Sequence, residues 1–400
     1  MTVMTVNTYF ADFHIHVGLS ETGEWVKIPT SNRLTLRNIL AEATDRKGLQ
    51  IIGVVDALSP HVRRDFALLA AEGLLTLDSQ GGYRYGDRLT LLLGAEIETS
   101  EPDGGMAHTL IFLPDVATME KFAATMSRHI RNIHMSSQNA HMPLAELVRI
   151  AAPFGALIVV AHAFTPHKGL YGSCTPRMAA ILGEREMTAI AAVELGLSAD
   201  SSLADRIGEL AGYTFITNSD AHSLDKIARE YNQLALEGAS FQECAWAFAR
   251  QRGRTVTANY GLDPRLGKYH RTFCGECEYF DPGGEPFTER CPRCGSTKIV
   301  RGVFDRIDAI ADWPEPRHPG HRPPYRHQVP LSFIPGVGRK ALDRLLAAFG
   351  TEMNVLHRAT ETEIRAVVGE KAAETIIAAR SGEAAITAGG GGVYGKLAKN

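Results

Sequence analysis

The chain has 400 residues, which exceeds one ordinary domain and predicts two or three. Hydrophobic residues make up 44% of it and charged residues 22%, as in a globular protein. The formal net charge of −3 excludes nucleic-acid binding through bulk charge and leaves only local basic patches. No apolar run is long enough to span a bilayer, and no signal peptide is visible, so we expect a cytoplasmic protein without a membrane partner.

Up to about residue 260, short apolar runs alternate with segments of helical periodicity. The runs are YFADFHIHVG (9–18), LQIIGVVD (49–56), RLTLLLGAEIE (88–98), AHTLIFLP (107–114), ALIVVAHA (156–163), AAVELG (191–196) and YTFITNSDAH (213–222). Such repeated alternation predicts an α/β domain over residues 1–262, with a largely parallel sheet that can close into a barrel.

Most of these apolar runs end in residues that bind metals. The endings are His14 and His16, Asp56, Glu96 and Glu98, His162, Glu194, and Asp220 with His222, while His108 opens a run. In a strand, Asp12, His14 and His16 point to the same face. One acid at a strand end is explained by capping of the next helix, but capping favours Ser, Thr, Asn and Asp rather than His and Glu. Since strand ends of a parallel barrel converge on one mouth, the set predicts a metal centre.

Histidine and carboxylate ligands suit zinc, manganese or iron. More than four candidates imply more than one metal with a shared carboxylate. Two neighbouring metals are typical of phosphoester cleavage, because one generates hydroxide and both stabilise charge on the attacking and leaving oxygens. Lys27, Lys168 and Arg177 lie in loops that could supply positive charge near a phosphate, or they are solvated surface residues.

The sequences His14-Ile15-His16, Glu96 and Asp220-Ala221-His222 resemble the polymerase-and-histidinol-phosphatase (PHP) family. The resemblance implies a distorted β/α barrel. It also implies one metal held by His14, His16, Glu96 and Asp220, and a second held by Glu96, His108 and His162. His222 would bind a third metal or act as an acid or base. The implied catalytic residues are His14, His16, Glu96, Asp220 and His222, with two or more divalent ions of zinc, manganese or magnesium.

Residues 263–311 contain Cys274-x2-Cys277-x13-Cys291-x2-Cys294. Two CxxC pairs each present two thiolates and together predict a structural zinc site in a small ribbon. A redox role for the pairs is the alternative. Four cysteines fill the coordination sphere, so this zinc is not expected to be catalytic.

Residues 312–329 are rich in Pro, His and Arg and predict a linker or an extended arm. Residues 330–385 begin with PLSFIPGVGRKALDRLLAAFG, which resembles a helix-hairpin-helix motif. That resemblance implies DNA-phosphate binding by Gly336, Gly338, Arg339 and Lys340, whereas an ordinary interhelical turn is the alternative. From Arg317 to Arg344 there are six Lys or Arg and one acid, which is a local basic patch. The glycine-rich tail, 386–400, is expected to be flexible.

The order of modules and the segments AHAFTPHKGLYG, TNSDAHS and AGGGGVYGK resemble the endonuclease Q family over nearly the whole chain. The resemblance implies nicking of DNA 5′ of deaminated bases (uracil, hypoxanthine, xanthine) or abasic sites in repair, by a nucleoid-associated protein. Loops at the barrel mouth should form the pocket for the damaged base, so the candidate substrate-binding residues are Lys27, Tyr171, Ser173, Ser198 and Asn218. A purely structural role is the alternative for each. The alternatives are a PHP-type 3′–5′ exonuclease or phosphoesterase, and a non-catalytic DNA-binding protein with structural metals. Protein partners in repair are not identified by the sequence.

Overall fold

The computed structural model describes residues 6–382 and 386–397. Its strands are β1 (Asn7–Ile15), β2 (Ile51–Val54), β3 (Leu75–Leu77), β4 (Tyr83–Tyr85), β5 (Leu89–Ser100), β6 (Met106–Leu113), β7 (Leu157–Val160), β8 (Ile190–Glu194), β9 (Thr214–Ile216), β10 (Tyr231–Leu236), β11 (Thr255–Gly261), β12 (Phe273–Cys274), β13 (Ile299–Val300), β14 (Tyr325–His327), β15 (Ile386–Thr387) and β16 (Lys396–Leu397). Its α-helices are α1 (Leu36–Ala41), α2 (Pro60–Ala71), α3 (Val116–Met126), α4 (Leu144–Ala151), α5 (Glu184–Ala189), α6 (Ser201–Ala204), α7 (Phe241–Phe248), α8 (Val303–Ile310), α9 (Arg339–Phe349), α10 (Glu352–His357), α11 (Glu361–Val368) and α12 (Glu370–Ser381).

One curved sheet organises the first domain, in the order β14-β11-β10-β1-β2-β5-β6-β7-β8-β9. The predicted α/β barrel is confirmed, but the sheet is mixed: β10 runs antiparallel to β1 and β11, and β6 runs antiparallel to β5 and β7. The chain after β9 returns to the first strand, where Ile15 and Ala221 form a parallel bridge. This bridge brings the last predicted ligands beside the first ones.

The strand period of two places every second side chain of a strand on the same face of the sheet, where apolar residues form the barrel floor and polar residues nearer the strand end lie at the mouth. Leu92, Phe112 and Ala192 are buried in one apolar cluster inside the sheet. Two or four residues away on the same faces of their strands stand Glu96, His108 and Glu194. Gly94 leaves room for the Phe112 ring, because a Cβ there would lie 2.7 Å from that ring. The apolar cluster therefore packs beneath Glu96, His108 and Glu194.

The segment predicted as a linker, 312–329, is largely fixed on the barrel. Arg322 donates from Nη2 to the buried Asp205 at 2.7 Å, and its guanidinium lies 3.3 Å from the ring centroid of Phe215. Downstream, β14 adds a parallel strand to the edge of the sheet at β11. Arginine–aspartate pairing and strand addition fix the segment despite its proline content, which fits the predicted extended arm rather than a free linker.

The helical C-terminal region, α9 to α12, also packs against the barrel. His357 stacks on Phe10 at 4.4 Å between ring centroids, and its Nε2 lies 2.7 Å from the Tyr231 hydroxyl. The predicted capping box is confirmed: the hydroxyl of Thr360 accepts from the Glu363 N–H, and the Glu363 carboxylate accepts from the Thr360 N–H. Among the described residues, no helix has the length and apolarity needed to cross a membrane.

Candidate active site at the barrel mouth

The predicted barrel ligands come together at the mouth. Three groups have ligand atoms that all lie within 4.8 Å of one another: His14, His16 and Glu96; His16, Asp220 and His222; and Glu96, His108 and His162. Glu96 is shared by two groups, and so is His16. His108 reaches this edge from the start of its strand because β6 is antiparallel to its neighbours, so its N-terminal end meets the C-terminal ends of β2 and β5.

The donor set fits divalent cations. The Nε2 atoms of His14 and His16 are buried and have no hydrogen-bond partner among the described residues, which is costly unless something else binds them. His14 Nε2 lies 3.5 Å from Glu96, and His16 Nε2 lies 3.3 Å from Asp220. His108 Nδ1 is 2.8 Å and His162 Nε2 3.3 Å from the same Glu96 oxygen. Several imidazole nitrogens and carboxylate oxygens that converge on one place are what a cation site requires.

The electrostatics keep the carboxylates charged. Burial alone would raise the pKa of Glu96, but His108 and Lys27 outweigh it and hold that pKa well below its usual range. Burial also opposes ionisation of Asp220, while His14 and the other histidines lower its pKa well below normal. Burial and the neighbouring His16 lower the pKa of His222 to about 4, so this imidazole is neutral at neutral pH.

Two acids behind the ligands orient the histidine rings. His14 Nδ1 lies 3.0 Å from Glu194, and His16 Nδ1 lies 2.9 Å from Asp56. Each pairing directs Nε2 toward the mouth, as expected of residues that support metal ligands. Asn218 in turn donates to Glu194 at 3.1 Å. The sequence marked both acids as strand endings but gave Glu194 no role.

Asp12 was predicted to share a strand face with the two histidines, and this prediction was wrong. The register of β1 against β2 shifts between Asp12 and Ile15, so that Asp12 pairs with Ile52 and Ile15 with Val54, on one face of β2. Asp12 therefore points away from the histidines and does not join the donor groups. Its carboxylate accepts from the backbone N–H of Ser219 at 3.1 Å and of Ala228 at 3.0 Å. Burial raises the pKa of Asp12 to about 6. The residue therefore holds the loop after β9, which carries Asp220, against the first strand.

Two lysines predicted near a phosphate do reach the mouth. Lys27 Nζ donates to Glu96 at 2.9 Å and also contacts Ser137, which itself contacts Glu96. Lys168 pairs with Glu98, the neighbour of His108. Arg177 instead lies away from the mouth and donates to Asp312, in the segment 312–329, at 2.5 Å. Ser137 belongs to a polar loop without a motif, so sequence reasoning had no signal for it.

A cavity of about 350 Å³ opens beside the donor groups. Three predicted ligands border it: His162, Asp220 and His222. Ser198 and Asn218, predicted to bind substrate, also line it. Tyr269, Lys268 and Tyr394 complete the wall from outside the barrel domain, and the sequence did not point to them.

Tyr171 and Ser173, also predicted to bind substrate, lie outside this cavity. Tyr171 is fully buried, stacks on Phe164 at 5.4 Å between ring centroids, and donates its hydroxyl to Glu209 at 2.8 Å. Ser173 is exposed on the far side of the same turn and bonds to the Met106 carbonyl. The burial of the Tyr171 ring is thus explained by packing within the fold rather than by contact with a nucleobase.

The four cysteines form one cluster, as predicted. The Sγ atoms of Cys274 and Cys294 are 3.6 Å apart, as are those of Cys277 and Cys291. A tetrahedral zinc site with bonds of about 2.3 Å separates its sulfurs by about 3.7 Å. The cluster therefore has the spacing of a closed metal site.

The proposed phosphate-binding turn is exposed to solvent. Gly336 has a φ of 86°, a backbone conformation that favours glycine, and Gly338 is the N-cap of α9. Arg339 and Lys340 occupy the first turn of that helix and are both exposed. Val337 and Ile334 are buried between them and the helical core, which fixes the turn.

Comparison with known proteins gives close relatives along the full chain. No family model matches it. The chain is 44% identical over 392 residues to the uncharacterized protein YqxK of Bacillus subtilis, covering 97% of this chain and 98% of that protein. The crystal structure of the lesion-specific endonuclease PfuEndoQ from Pyrococcus furiosus matches with a TM-score of 0.83 and 30% identity, covering 98% of this chain and 95% of that one.

A crystal structure of endonuclease Q with a 27-mer duplex substrate, which has an abasic lesion at the active site, matches with a TM-score of 0.84 and 30% identity. It covers 98% of this chain and 97% of that one. Fold and site together therefore define a nuclease built on a PHP-type barrel. The chain belongs to the endonuclease Q family.

Proposed function

We propose that the protein is a DNA-repair endonuclease that nicks the phosphodiester 5′ of a deaminated base (uracil, hypoxanthine or xanthine) or of an abasic site. The observation that carries the proposal is the cavity of about 350 Å³, which borders His162, Asp220 and His222 at the barrel mouth. A bound lesion would then lie beside the groups that cleave the strand. The family member with an abasic duplex at its active site supports DNA as the substrate.

The barrel mouth would hold two or more divalent ions of zinc, manganese or magnesium. His14, His16, Glu96 and Asp220 would hold one, Glu96, His108 and His162 another, and His222 with Asp220 would complete a third group. When bound, such ions activate water and stabilise charge on the attacking and leaving oxygens.

The protein's own groups would orient the reaction. Lys27, which now pairs with Glu96, carries the positive charge nearest the donors and would attract the scissile phosphate. His222 donates from Nδ1 to the Asp220 carbonyl at 3.0 Å, which leaves the Nε2 lone pair of the neutral ring free to accept a proton or a cation.

Recognition of one damaged base without reading its neighbours requires that base to leave the stack. A mispaired or missing base costs less to extrude, which supplies part of the selectivity. Ser198 and Asn218 lie on the cavity wall, where a hydroxyl and an amide can hydrogen-bond a base edge. Asn218 already uses its amide on Glu194, so it links the pocket to the support of His14.

Outside the barrel, the four cysteines would bind structural zinc, and the helical region would grip the duplex. The backbone N–H groups after Gly336 and the side chains of Arg339 and Lys340 would bind a phosphate as a helix-hairpin-helix does. This grip positions the strand without reading sequence. Binding of this kind suits a repair enzyme that must search DNA of any sequence. Such an enzyme would be cytoplasmic and associated with the nucleoid.

The proposal is tested with end-labelled duplexes that carry one deoxyuridine, deoxyinosine or abasic site at a central position, beside an undamaged duplex. We expect a single cut on the 5′ side of each lesion, with a 3′-hydroxyl and a 5′-phosphate, and no cut in the undamaged duplex. A ladder that starts at a 3′ end in every duplex would instead identify the exonuclease. Binding without cleavage under zinc, manganese and magnesium would identify a DNA-binding protein with structural metals.

Ser198→Ala is expected to change the preference among lesions. A hydrogen bond from this hydroxyl to the edge of the base is lost at an abasic site, so cleavage at deoxyuridine should fall about 5- to 10-fold relative to an abasic site. The measurement is kcat/KM for both lesions, with Ser173→Ala, an exposed serine outside the cavity, as the matched control. Equal loss at both lesions would remove Ser198 from base recognition.

The double variant Arg339→Ala/Lys340→Ala is expected to weaken binding of damaged and undamaged duplexes alike. Loss of two phosphate contacts should reduce the slope of log Kd against log salt by about 2. Fluorescence anisotropy at several salt concentrations measures this slope. Lys371→Ala, an exposed lysine on α12, is the control, and an unchanged slope in the double variant would rule out the proposed phosphate contact.

A further inference from the structure

The glycine-rich tail is docked rather than flexible over residues 386–397, contrary to the expectation from its composition. β15 and β16 pair, and between them Gly390 and Val393 exchange backbone hydrogen bonds of 3.0 Å around a two-residue turn. Gly391 and Gly392 in that turn have φ of 59° and 83°, and a two-residue type I′ hairpin turn requires positive φ at both positions. The remaining tail residues, 398–400, and the junction, 383–385, lie outside the described residues.

The tail lies against the chain that leads into the four-cysteine segment. Gly389 donates to the Arg265 carbonyl at 2.7 Å, and Gly395 donates to the Leu266 carbonyl at 2.9 Å. A Cβ on Gly390 would lie 2.5 Å from the Phe280 ring, and one on Gly391 would collide with the Glu278 carbonyl. The run of glycines is therefore explained by close packing against this segment.

Phe280 ends the turn that carries the first cysteine pair. The turn from Cys274 to Phe280 is closed by two backbone bonds of 2.9 Å, from Glu278 to the Cys274 carbonyl and from Cys274 to the Tyr279 carbonyl. Phe273 and Phe280 form an isolated bridge at its base. A metal bound by Cys274 and Cys277 would stiffen this turn, and the tail rests on it.

Tyr394 follows the glycine hairpin that packs on Phe280, and it lines the cavity beside the metal-ligand groups. Its hydroxyl accepts from Arg229 Nη1 at 3.4 Å. The same guanidinium donates from Nε to the Ser219 carbonyl at 2.6 Å and from Nη2 to the Asp220 carbonyl at 3.3 Å. Lys268 Nζ lies 5.8 Å from the Tyr394 ring centroid and 4.6 Å from that of Tyr269. The half-buried Tyr394 ring is thus an aromatic part of the wall of the cavity that His162, Asp220 and His222 also line.

We propose that Tyr394 is a specificity-determining residue that stacks on the extruded base, and that the four-cysteine segment positions it through Phe280 and the glycine hairpin. The proposal rests on the proposed function, because it assigns a side chain to the pocket for the lesion. An aromatic ring favours any flat base and needs no particular hydrogen-bond pattern. One wall can therefore serve several deaminated bases, while Ser198 and Asn218 contact their edges.

A duplex with an abasic nucleotide distinguishes stacking of Tyr394 on the base from a general contribution of Tyr394 to the fold. It has no base, so it gains nothing from stacking, whereas its phosphates and sugar make the same contacts as those of deoxyuridine. Loss of the Tyr394 ring should therefore weaken binding of a base-bearing lesion and leave an abasic lesion nearly unaffected. A residue that only stabilised the fold would affect both lesions equally.

The test measures binding by fluorescence anisotropy in the full-length His14→Ala/His16→Ala protein, which cannot cut the probe. The probes are duplexes with deoxyuridine, with an abasic site and without damage. Adding Tyr394→Ala is expected to raise Kd for the deoxyuridine duplex about tenfold and for the abasic duplex less than about twofold. Tyr394→Phe should restore tight binding because it keeps the ring. Val393→Ala, at the exposed neighbouring position, should change neither Kd.

A second variant tests the positioning route. Phe280→Ala should shift Kd in the same lesion-dependent way and by a smaller factor, with the zinc content of the protein unchanged. Equal effects on both lesions, or no effect of Tyr394→Ala on the deoxyuridine duplex, would overturn this inference and leave the proposed function intact. If the parent protein bound deoxyuridine and undamaged duplexes equally, the proposed function would fail and this inference with it.

Discussion

Replacing His14 and His16 together by alanine is expected to lower the single-turnover nicking rate at least ~10³-fold, without loss of the fold. Both rings are fully buried, and each offers an unpaired Nε2 to the mouth. Their removal takes nitrogen ligands from two of the three donor groups. Loss of metal ligands costs more than the ~10- to 100-fold seen when a supporting residue is changed.

The rate is measured on a duplex with one abasic site, with enzyme in excess, over a series of divalent-ion concentrations. The matched control is His129→Ala/His141→Ala, in which two histidines away from the mouth are changed. Circular dichroism and the thermal midpoint verify that each variant is folded. A folded mouth variant that kept more than about a tenth of the rate would show that these histidines do not bind the catalytic ions.

Glu194→Gln is expected to lower the nicking rate ~10- to 100-fold by acting through His14. The carboxylate lies 3.0 Å from His14 Nδ1, is fully buried, and favours the ring orientation that presents Nε2 to the cation. Burial disfavours a charged His14, but Glu194 and then Asp220 raise its pKa well above the usual value. The glutamine keeps the shape but removes the charge, so the ring becomes a weaker and less ordered ligand.

The loss in Glu194→Gln should be relieved in part by raising the concentration of divalent ion, since the defect lies in metal affinity. Titration of the rate against ion concentration measures this shift. Glu186→Gln, which removes a charge paired with Arg149 at the surface, is the control and should behave as wild type. A rate that falls but does not respond to the ion would assign Glu194 to the fold rather than to the metal centre.

The site was largely predictable because strand ends are readable in the sequence. His14, His16, Glu96, His162 and Asp220 each follow an apolar run, and such runs become buried strands whose ends share one edge. The strand period of two places Leu92 and Glu96 on the same face, and Glu96 lies at the mouth because it comes later along the strand. Histidine and glutamate recur at these strand ends, and helix capping does not explain them because caps favour Ser, Thr, Asn and Asp.

Other parts were not predictable because they depend on long-range contacts. The direction of β6 is set by its pairing with β5 and β7, which no local pattern encodes. Tyr171 lies in a segment typical of the family, yet its burial is decided by Phe164 and Glu209.

The tail shows the same limit, since Gly390 reads as a flexible residue until Phe280 is found beside it. The cavity wall combines residues from five separate segments, including Ser198, Tyr269 and Tyr394, and only the folded chain brings them together.

The most direct test uses a covalently closed duplex circle with one deoxyuridine, beside an undamaged circle. Wild type, His14→Ala/His16→Ala, and wild type with a chelator are compared. We expect one nick, 5′ of the deoxyuridine, with wild type alone, and an intact undamaged circle in all cases. An intact lesion circle, together with digestion of a linear strand from its end, would contradict this expectation and identify an exonuclease.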